Sequence, residues 1–335
     1  MSTAIQWTDE TWNPVVGCER VSPGCAHCYA KELHDKRHKA FVAGKAVAPQ
    51  YAEPFETVQL KPERLDYPLR WRKPKRIFVN SVSDLFHDDV PDEFIAQVFA
   101  MMALASWHTF QVLTKRAARM RSLVNSKEFR ELVAAFVSHF ALEHSDPQNR
   151  RRDDLRATAP DVEYDDAAWP LPNVWLGVSV ENQRFADERI PLLAETFAAI
   201  RFLSCEPLLG PVYIDFDDIA NRSWDGRRID WCIIGAESGK DARTFCVRWA
   251  ASLMRQCFAA GVCRFLKQLG ARPVVTDLTG WRCAAEVAPD LSGYALKLRD
   301  RHGGDPDEWP HELRVREFPD ELRATNHPQT NRAFP

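Results

Sequence analysis

Nothing in the 335-residue chain approaches the run of about 20 apolar residues that a membrane-spanning helix needs, so no membrane partner is expected. Met1 to Glu10 shows no basic segment leading into an apolar one, and the expectation is a chain without a secretion signal. A large net charge is missing as well. The 44 Lys and Arg against 47 Asp and Glu leave −3, which excludes a global basic field for nucleic acid but permits a local basic groove. No close internal repeat is visible, so the fold is not read as an array of copies. A disulfide framework is also lacking. The nine cysteines are odd in number and six are scattered singly through apolar segments, which points to a reducing, cytoplasmic setting. What is present is an ordinary soluble composition, long enough for one barrel-sized domain or two smaller ones.

Against that background three cysteines stand out. Cys18, Cys25 and Cys28 form a C-x6-C-x2-C cluster. Thiols this close in a reducing compartment read as one metal site that lacks a protein-supplied fourth ligand. Ser22-Pro23-Gly24 is a turn sequence, so the first gap can fold back and bring Cys18 near the other two. Cys25 and Cys28 are three apart and share a face at a helix start, where backbone N–H groups favour anionic thiolates. A cubane [4Fe-4S] cluster held by three cysteines keeps one iron open for a further ligand. The competing reading is zinc, with His34 completing a Cys3His site; His27 suits that role less, because it adjoins Cys28.

Short apolar runs recur along the chain, and each ends in small or polar residues. They are Trp12–Gly17, Ile77–Val79, Phe110–Leu113, Val174–Val180, Ile200–Leu203, Trp231–Ile234 and Val262–Leu266. Runs of this kind fit parallel strands buried on both faces. Helical patterns lie between them: one opened by Pro91-Asp92-Glu93 and reaching Ala105, one over Arg184–Ala199, and one over Ala242–Ala260. The last places Phe245, Trp249, Leu253 and Phe258 on one stripe and stops at Gly261. The expected fold is α/β: a complete or partial (β/α) TIM-like barrel of six to seven parallel strands, with an open doubly wound sheet as the alternative. The barrel is expected over 1–300, with an Arg-, Asp- and Pro-rich surface insertion at about 144–172 that includes Arg150-Arg151-Arg152. Residues 301–335 form a C-terminal extension with a poorly ordered end.

In a (β/α) barrel the strand C-termini form the active face. Each run here ends in groups able to bind a polar ligand: Ser81, Ser83 and Asp84; Lys115 and Arg116; Ser179, Glu181 and Asn182; Glu206; Glu237 and Ser238; Lys267 and Gln268. Three other features have plainer explanations. His87-Asp88-Asp89 reads as capping ahead of the helix at Pro91 rather than a hydrolytic metal site. Cys246, Cys257 and Cys263 read as buried cysteines rather than an auxiliary cluster. Most tryptophans read as core.

The motifs TWNPVVGC, CAHCYA, NSVSDLFH, VLTKR, WLGVSVENQ, LSCEPLLG, IIGAESG and FLKQLG follow one another between about residues 5 and 270. In this order they resemble a family of radical-SAM-like proteins encoded by phages, prophages and bacteria and known by its three-cysteine motif. Thr114-Lys115 and Glu206-Pro207 also resemble, less closely, the spore photoproduct lyase branch of the radical S-adenosylmethionine (SAM) superfamily. The usual superfamily spacing is C-x3-C-x2-C, so this chain has three more residues in its first gap.

The resemblance implies a [4Fe-4S] cluster on Cys18, Cys25 and Cys28, with SAM on the open iron. It also implies an electron-donor protein and reductive cleavage to a 5′-deoxyadenosyl radical. Ser81, Ser83 and Asp84 would lie by the methionine amino group. Ser179, Glu181 and Asn182 would lie by the ribose or carboxylate, and the segment around Gly235 by the adenine. Lys115, Arg116 and Lys267 would hold a carboxylate or phosphate. Lys115, Glu206 and Glu237 are the candidate catalytic residues. Phage association points to a nucleic acid or nucleotide as substrate. The reading from another class is a zinc-stabilised nucleic-acid-binding or adaptor module without redox chemistry.

Overall fold

Six of the seven apolar runs become parallel strands where the sequence puts them, and the first is displaced. The computed structural model describes Thr3 and residues 5–143, 169–226, 229–281, 283–288 and 293–319. Most of the expected insertion, with Arg150–Arg152, and the end of the tail lie outside the described residues.

The main sheet has seven strands: β1 (Glu10–Trp12), β4 (Arg76–Val79), β5 (Thr109–Thr114), β6 (Val174–Ser179), β7 (Ile200–Cys205), β8 (Trp231–Gly235) and β10 (Cys263–Gln268). All neighbours pair in parallel, and the spatial order is the chain order. A doubly wound sheet reverses its strand order at a switch point. No reversal occurs here, so that alternative is set aside in favour of a curled half-barrel flanked by helices.

The first strand corrects the expectation. Only Glu10–Trp12 enters the main sheet. Beyond it Pro14 has no N–H to give a ladder, and the Asn13 side chain accepts from the Ser81 hydroxyl and the Val82 amide at 3.1 and 3.2 Å. The chain leaves the sheet there. β2 (Val15–Val16) pairs antiparallel with β3 (Gln59–Leu60) instead, which carries the cysteine segment over the strand ends.

Alternation along the strands builds two cores. Ile77, Val79, Phe110, Val112, Leu176, Val178, Leu203 and Ile234 face the helix layer. That layer includes α3 (Asp92–Leu104), α4 (Ala117–Val124), α5 (Lys127–Glu143), α6 (Gln183–Ala194) and α8 (Val247–Ala259), while α1 (Tyr29–Val42), the short α2 (Tyr67–Arg70) and α7 (Phe216–Arg222) complete the described α-helices. The intervening residues Phe78, Trp175, Phe202, Trp231 and Phe265 meet on the concave side with Trp7. Trp231 is the hub, with ring centroids 5.8 Å from Trp175, 5.9 Å from Phe202 and 6.0 Å from Phe265. This aromatic plug fills the interior and leaves the polar strand ends as the open face.

Two further differences concern the C-terminal third. The helix expected from Ala242 starts only at Val247, because β9 (Phe245–Cys246) pairs with β11 (Pro273–Val275). That pair joins β12 (Ala284–Ala288) and β13 (Gly293–Lys297) in a four-stranded sheet. Phe258 lies off the buried stripe: it is 70% exposed, and the Arg264 guanidinium covers its ring. The C-terminal extension is partly built into the half-barrel. Leu266 donates to the Val315 carbonyl and Glu317 to that of Arg264, at 2.9 and 2.8 Å, so residues 315–317 line the outer edge of β10. Among the described residues no helix is long and apolar enough to cross a membrane.

Candidate functional site

The cysteine loop is fixed at both ends by the backbone. Gly17 has φ +96 and packs against the Thr57 carbonyl, where a side chain has no room. Cys18 then donates its amide to the Phe55 carbonyl at 2.9 Å. At the far end Pro23–Cys25 makes a 3-10 turn, and Cys28 is the N-cap of α1 with its side chain uncommitted to capping. Cys25 is buried; Cys18 and Cys28 are half-buried.

Four of the seven strand ends, those of β4, β6, β7 and β8, contribute a carboxylate, and each of these carboxylates has a cation. Asp84, after β4, accepts from Thr114 Oγ1 at 2.7 Å, the Phe86 and Lys115 amides at 3.0 Å, and Arg116 Nη1 at 3.3 Å. Arg116, after β5, also reaches the Cys18 sulfur at 3.9 Å. Glu181, after β6, is fully buried. Its Oε1 accepts from Lys115 Nζ and the Ser22 hydroxyl, both at 2.6 Å, and its Oε2 from Arg189 at 3.2 Å. Glu206, after β7, takes Lys267 Nζ at 2.6 Å and Gln268 Nε2 at 3.4 Å. Glu237, after β8, is gripped by the amide and guanidinium of Arg243 and lies 3.7 Å from His27 Nδ1.

The electrostatics follow from this pairing. Burial works to raise the Glu181 carboxyl, but the Lys115 and Arg189 charges outweigh it and the group titrates below the usual carboxylate range. The same contest, won by Arg243, holds Glu237 down. Burial pushes the Cys18 thiol up to about 12, reinforced by Asp84 and offset in part by Arg116. His87 is lowered by its burial first and by Arg116 second.

The residues expected to bind a ligand therefore divide. Ser83 donates to the Val15 carbonyl at 2.8 Å, the Ser179 carbonyl accepts from Arg189 at 2.8 Å, and Asn182 caps α6 through the Phe185 amide. With Asp84, Lys115 and Glu181 they are engaged inside the chain. Ser81, Glu206, Lys267 and Gln268 are partly buried and are bonded as well, Ser81 to Asn13, and Lys267 and Gln268 to Glu206. Tyr29 stands among them, with its hydroxyl on the Ser81 carbonyl and its side chain close to Cys28 and Glu206. Gly235 gives Glu206 its place, since a Cβ there would stand 3.3 Å from the Glu206 Cγ and Cδ.

Several sequence-based groupings are not assembled. His34 is buried, with Nε2 2.9 Å from the Glu53 carbonyl and its ring against Tyr51 and Phe55, so it is not a fourth ligand in this arrangement. Among the described residues no set of three or more His, Cys, Asp or Glu side chains is gathered tightly enough for a single metal ion. Cys246, Cys257 and Cys263 do not meet. Cys257 instead joins Cys205 and Cys232, whose sulfurs are 3.9 Å apart in the helix-side core.

The sequence reading missed Ser22, Gly24, Tyr29, Arg189 and Arg243 as site residues. Arg189 could have been found: it sits between Ala186 and Ile190 on the buried stripe of α6, where an unpaired cation is not tolerated. What the site offers is three thiols on one loop, with Cys28 at the α1 N-terminus and Arg116 3.9 Å from the Cys18 sulfur.

No curated protein and no solved structure matches the chain. One family model, described as "Protein of unknown function (DUF5131)", matches residues 2–301, and the chain belongs to that family.

Proposed function

We propose that the chain is a cytoplasmic radical-SAM-type iron–sulfur enzyme on a TIM-like partial barrel. Cys18, Cys25 and Cys28 would hold a [4Fe-4S] cluster beside a SAM site at the strand ends. The observation that carries this reading is the position of the three-cysteine loop. It lies over the C-terminal ends of parallel strands, with Cys18 against Arg116 and the Ser22–Gly24 turn against Glu181. In parallel α/β barrels that face is where ligands are handled.

When bound, such a cluster supplies one electron and an open iron site for the amino and carboxylate groups of SAM. The chain's own residues do the rest. Arg116 and the α1 N-terminus offset the negative charge of thiolates. The aromatic plug around Trp231 keeps water out from below. Glu206, Lys267 and Gln268, partly exposed and hydrogen-bonded together, present both an acceptor and donors to a polar ligand. Glu206 and Glu237 are the proposed catalytic carboxylates. Lys115 has its ammonium on Glu181, so its part is to hold that carboxylate. A nucleic acid or nucleotide is the proposed substrate, and an electron-donor protein the proposed partner.

Anaerobic reconstitution with iron and sulfide tests the reading. The expected result is about four irons and four sulfides per chain, with a reduced-cluster EPR signal that SAM alters. Cys25→Ala should lose both. Stoichiometric zinc with no iron uptake would replace the enzyme reading with a zinc-stabilised nucleic-acid-binding or adaptor module.

A further inference from the structure

We infer that Glu181 is the anchor of the three-cysteine loop, held through the Ser22–Gly24 turn that closes the gap between Cys18 and Cys25. The gap runs from Glu19 to Gly24, and two of its residues touch this one side chain. The Ser22 hydroxyl donates to Glu181 Oε1 at 2.6 Å, the short distance of a charge-assisted bond. Gly24 lies flat against the same carboxylate: a Cβ there would stand 2.6 Å from Oε1 and 2.7 Å from Cγ. Cys25 follows directly, with its sulfur 3.7 Å from the Ser22 oxygen. Fixing Ser22 and Gly24 therefore fixes Cys25.

The anchor is itself immobile. Glu181 is fully buried and Arg189 nearly so. Lys115 holds Oε1 from the end of β5, Arg189 holds Oε2 from α6, and the Glu181 carbonyl accepts the Leu209 amide at 2.7 Å. A buried carboxylate with two cations is stable only while all three stay together, so the loop is tied to three elements of the half-barrel at once. Glu181 thus acts on the thiols as a positioning residue and leaves ligand contact to the β7–β10 side of the mouth.

The full-length, reduced, metal-free chain tests this through peptide-resolved iodoacetamide labelling. The core thiols Cys232 and Cys257 serve as internal references. Ser22→Ala and Glu181→Gln should each raise the Cys25 labelling rate roughly tenfold or more, with the reference rates unchanged. Gly24→Ala should do the same by steric displacement. A merely structural role for Glu181 would expose the reference thiols along with Cys25 and would leave Gly24→Ala without a selective effect. Unchanged Cys25 labelling in both Ser22→Ala and Gly24→Ala overturns the anchor. If Glu181→Gln exposes every cysteine together, Ser22→Ala and Gly24→Ala decide. The readout needs no metal, so the anchor and the iron–sulfur reading stand or fall separately.

Discussion

The guanidinium of Arg116 stands 3.9 Å from the sulfur of Cys18, and the same nitrogen lies 3.3 Å from the Asp84 carboxylate. The three groups form a balance. Burial and the Asp84 charge push the Cys18 thiol up, to about 12, and Arg116 pulls it back. At neutral pH the free chain therefore carries Cys18 as a thiol, and capture of a metal there must release its proton. Replacing Arg116 with Gln removes the one opposing charge. Cys18 alkylation should then be slower than in the wild type at every pH from about 7 to 9, because the thiolate is the reactive form. An equal or faster rate would remove Arg116 from this account.

Asp84 separates a structural from a ligand-binding role. Thr114, Phe86, Lys115 and Arg116 all donate to its two oxygens. Asparagine would turn one of those oxygens into a donor facing donors. Asp84→Asn should therefore destabilise the chain by about 2 kcal/mol or more, read as a lower urea midpoint at unchanged slope. A group waiting for a ligand would tolerate the change, and unaltered stability would return Asp84 to the ligand-binding set.

These two residues also show how far the sequence could be read. The runs ending at Val79, Leu113 and Val180 located their strands because short unbroken apolar segments bounded by polar residues fit strands buried on both faces, and the polar residues after them do collect at one face. What the runs could not show is which polar ends would be consumed by one another. Asp84 with Arg116, and Glu181 with Lys115, are pairs from different strand ends, so only the assembled sheet brings them together. The first strand was misplaced for a local reason: Val15 and Val16 are as apolar as any strand, yet Pro14 ends the ladder before them. Ser22-Pro23-Gly24 was legible as a turn but not as a contact, since a glycine needed for close approach looks the same as one needed for a bend.

The stability of the fold should also depend on pH through His108. Its Nδ1 accepts the Lys75 amide and its Nε2 lies on the Pro68 carbonyl, each at 3.1 Å, which requires the neutral ring. Burial is the main cause of its lowered pKa, opposed by the bond to Pro68 and helped by the charge of Lys75. The folded value lies below the unfolded one, so the unfolded chain takes up a proton first as pH falls. The stabilisation is whole above about 6.5 and is lost as pH drops through the folded value. His87, lowered in the same direction, adds to the same window. His108→Gln can still accept and donate at the two contacts but does not titrate. Its urea midpoint should fall less steeply between about pH 7 and 5 than that of the wild type. Parallel curves would exclude His108 as a contributor.

The floor of the mouth rests on a missing side chain. Gly177 on β6 faces the Phe202 ring, and a Cβ there would stand 2.5 Å from ring atoms Cε2 and Cζ. The ring has little room to retreat, because Phe202 is fully buried and packs on Trp231, which touches Trp175, Phe265 and Phe318 in turn. Gly177→Ala should therefore overpack the plug and destabilise the chain by about 1–3 kcal/mol, with a change in the near-ultraviolet tryptophan dichroism. Replacing Phe202 with Leu in the same chain removes the clashing ring edge. The double variant should be more stable than the sum of the two single changes predicts. Additive losses would mean that the two positions do not touch, and that the plug below the cysteine loop yields where its packing says it should not.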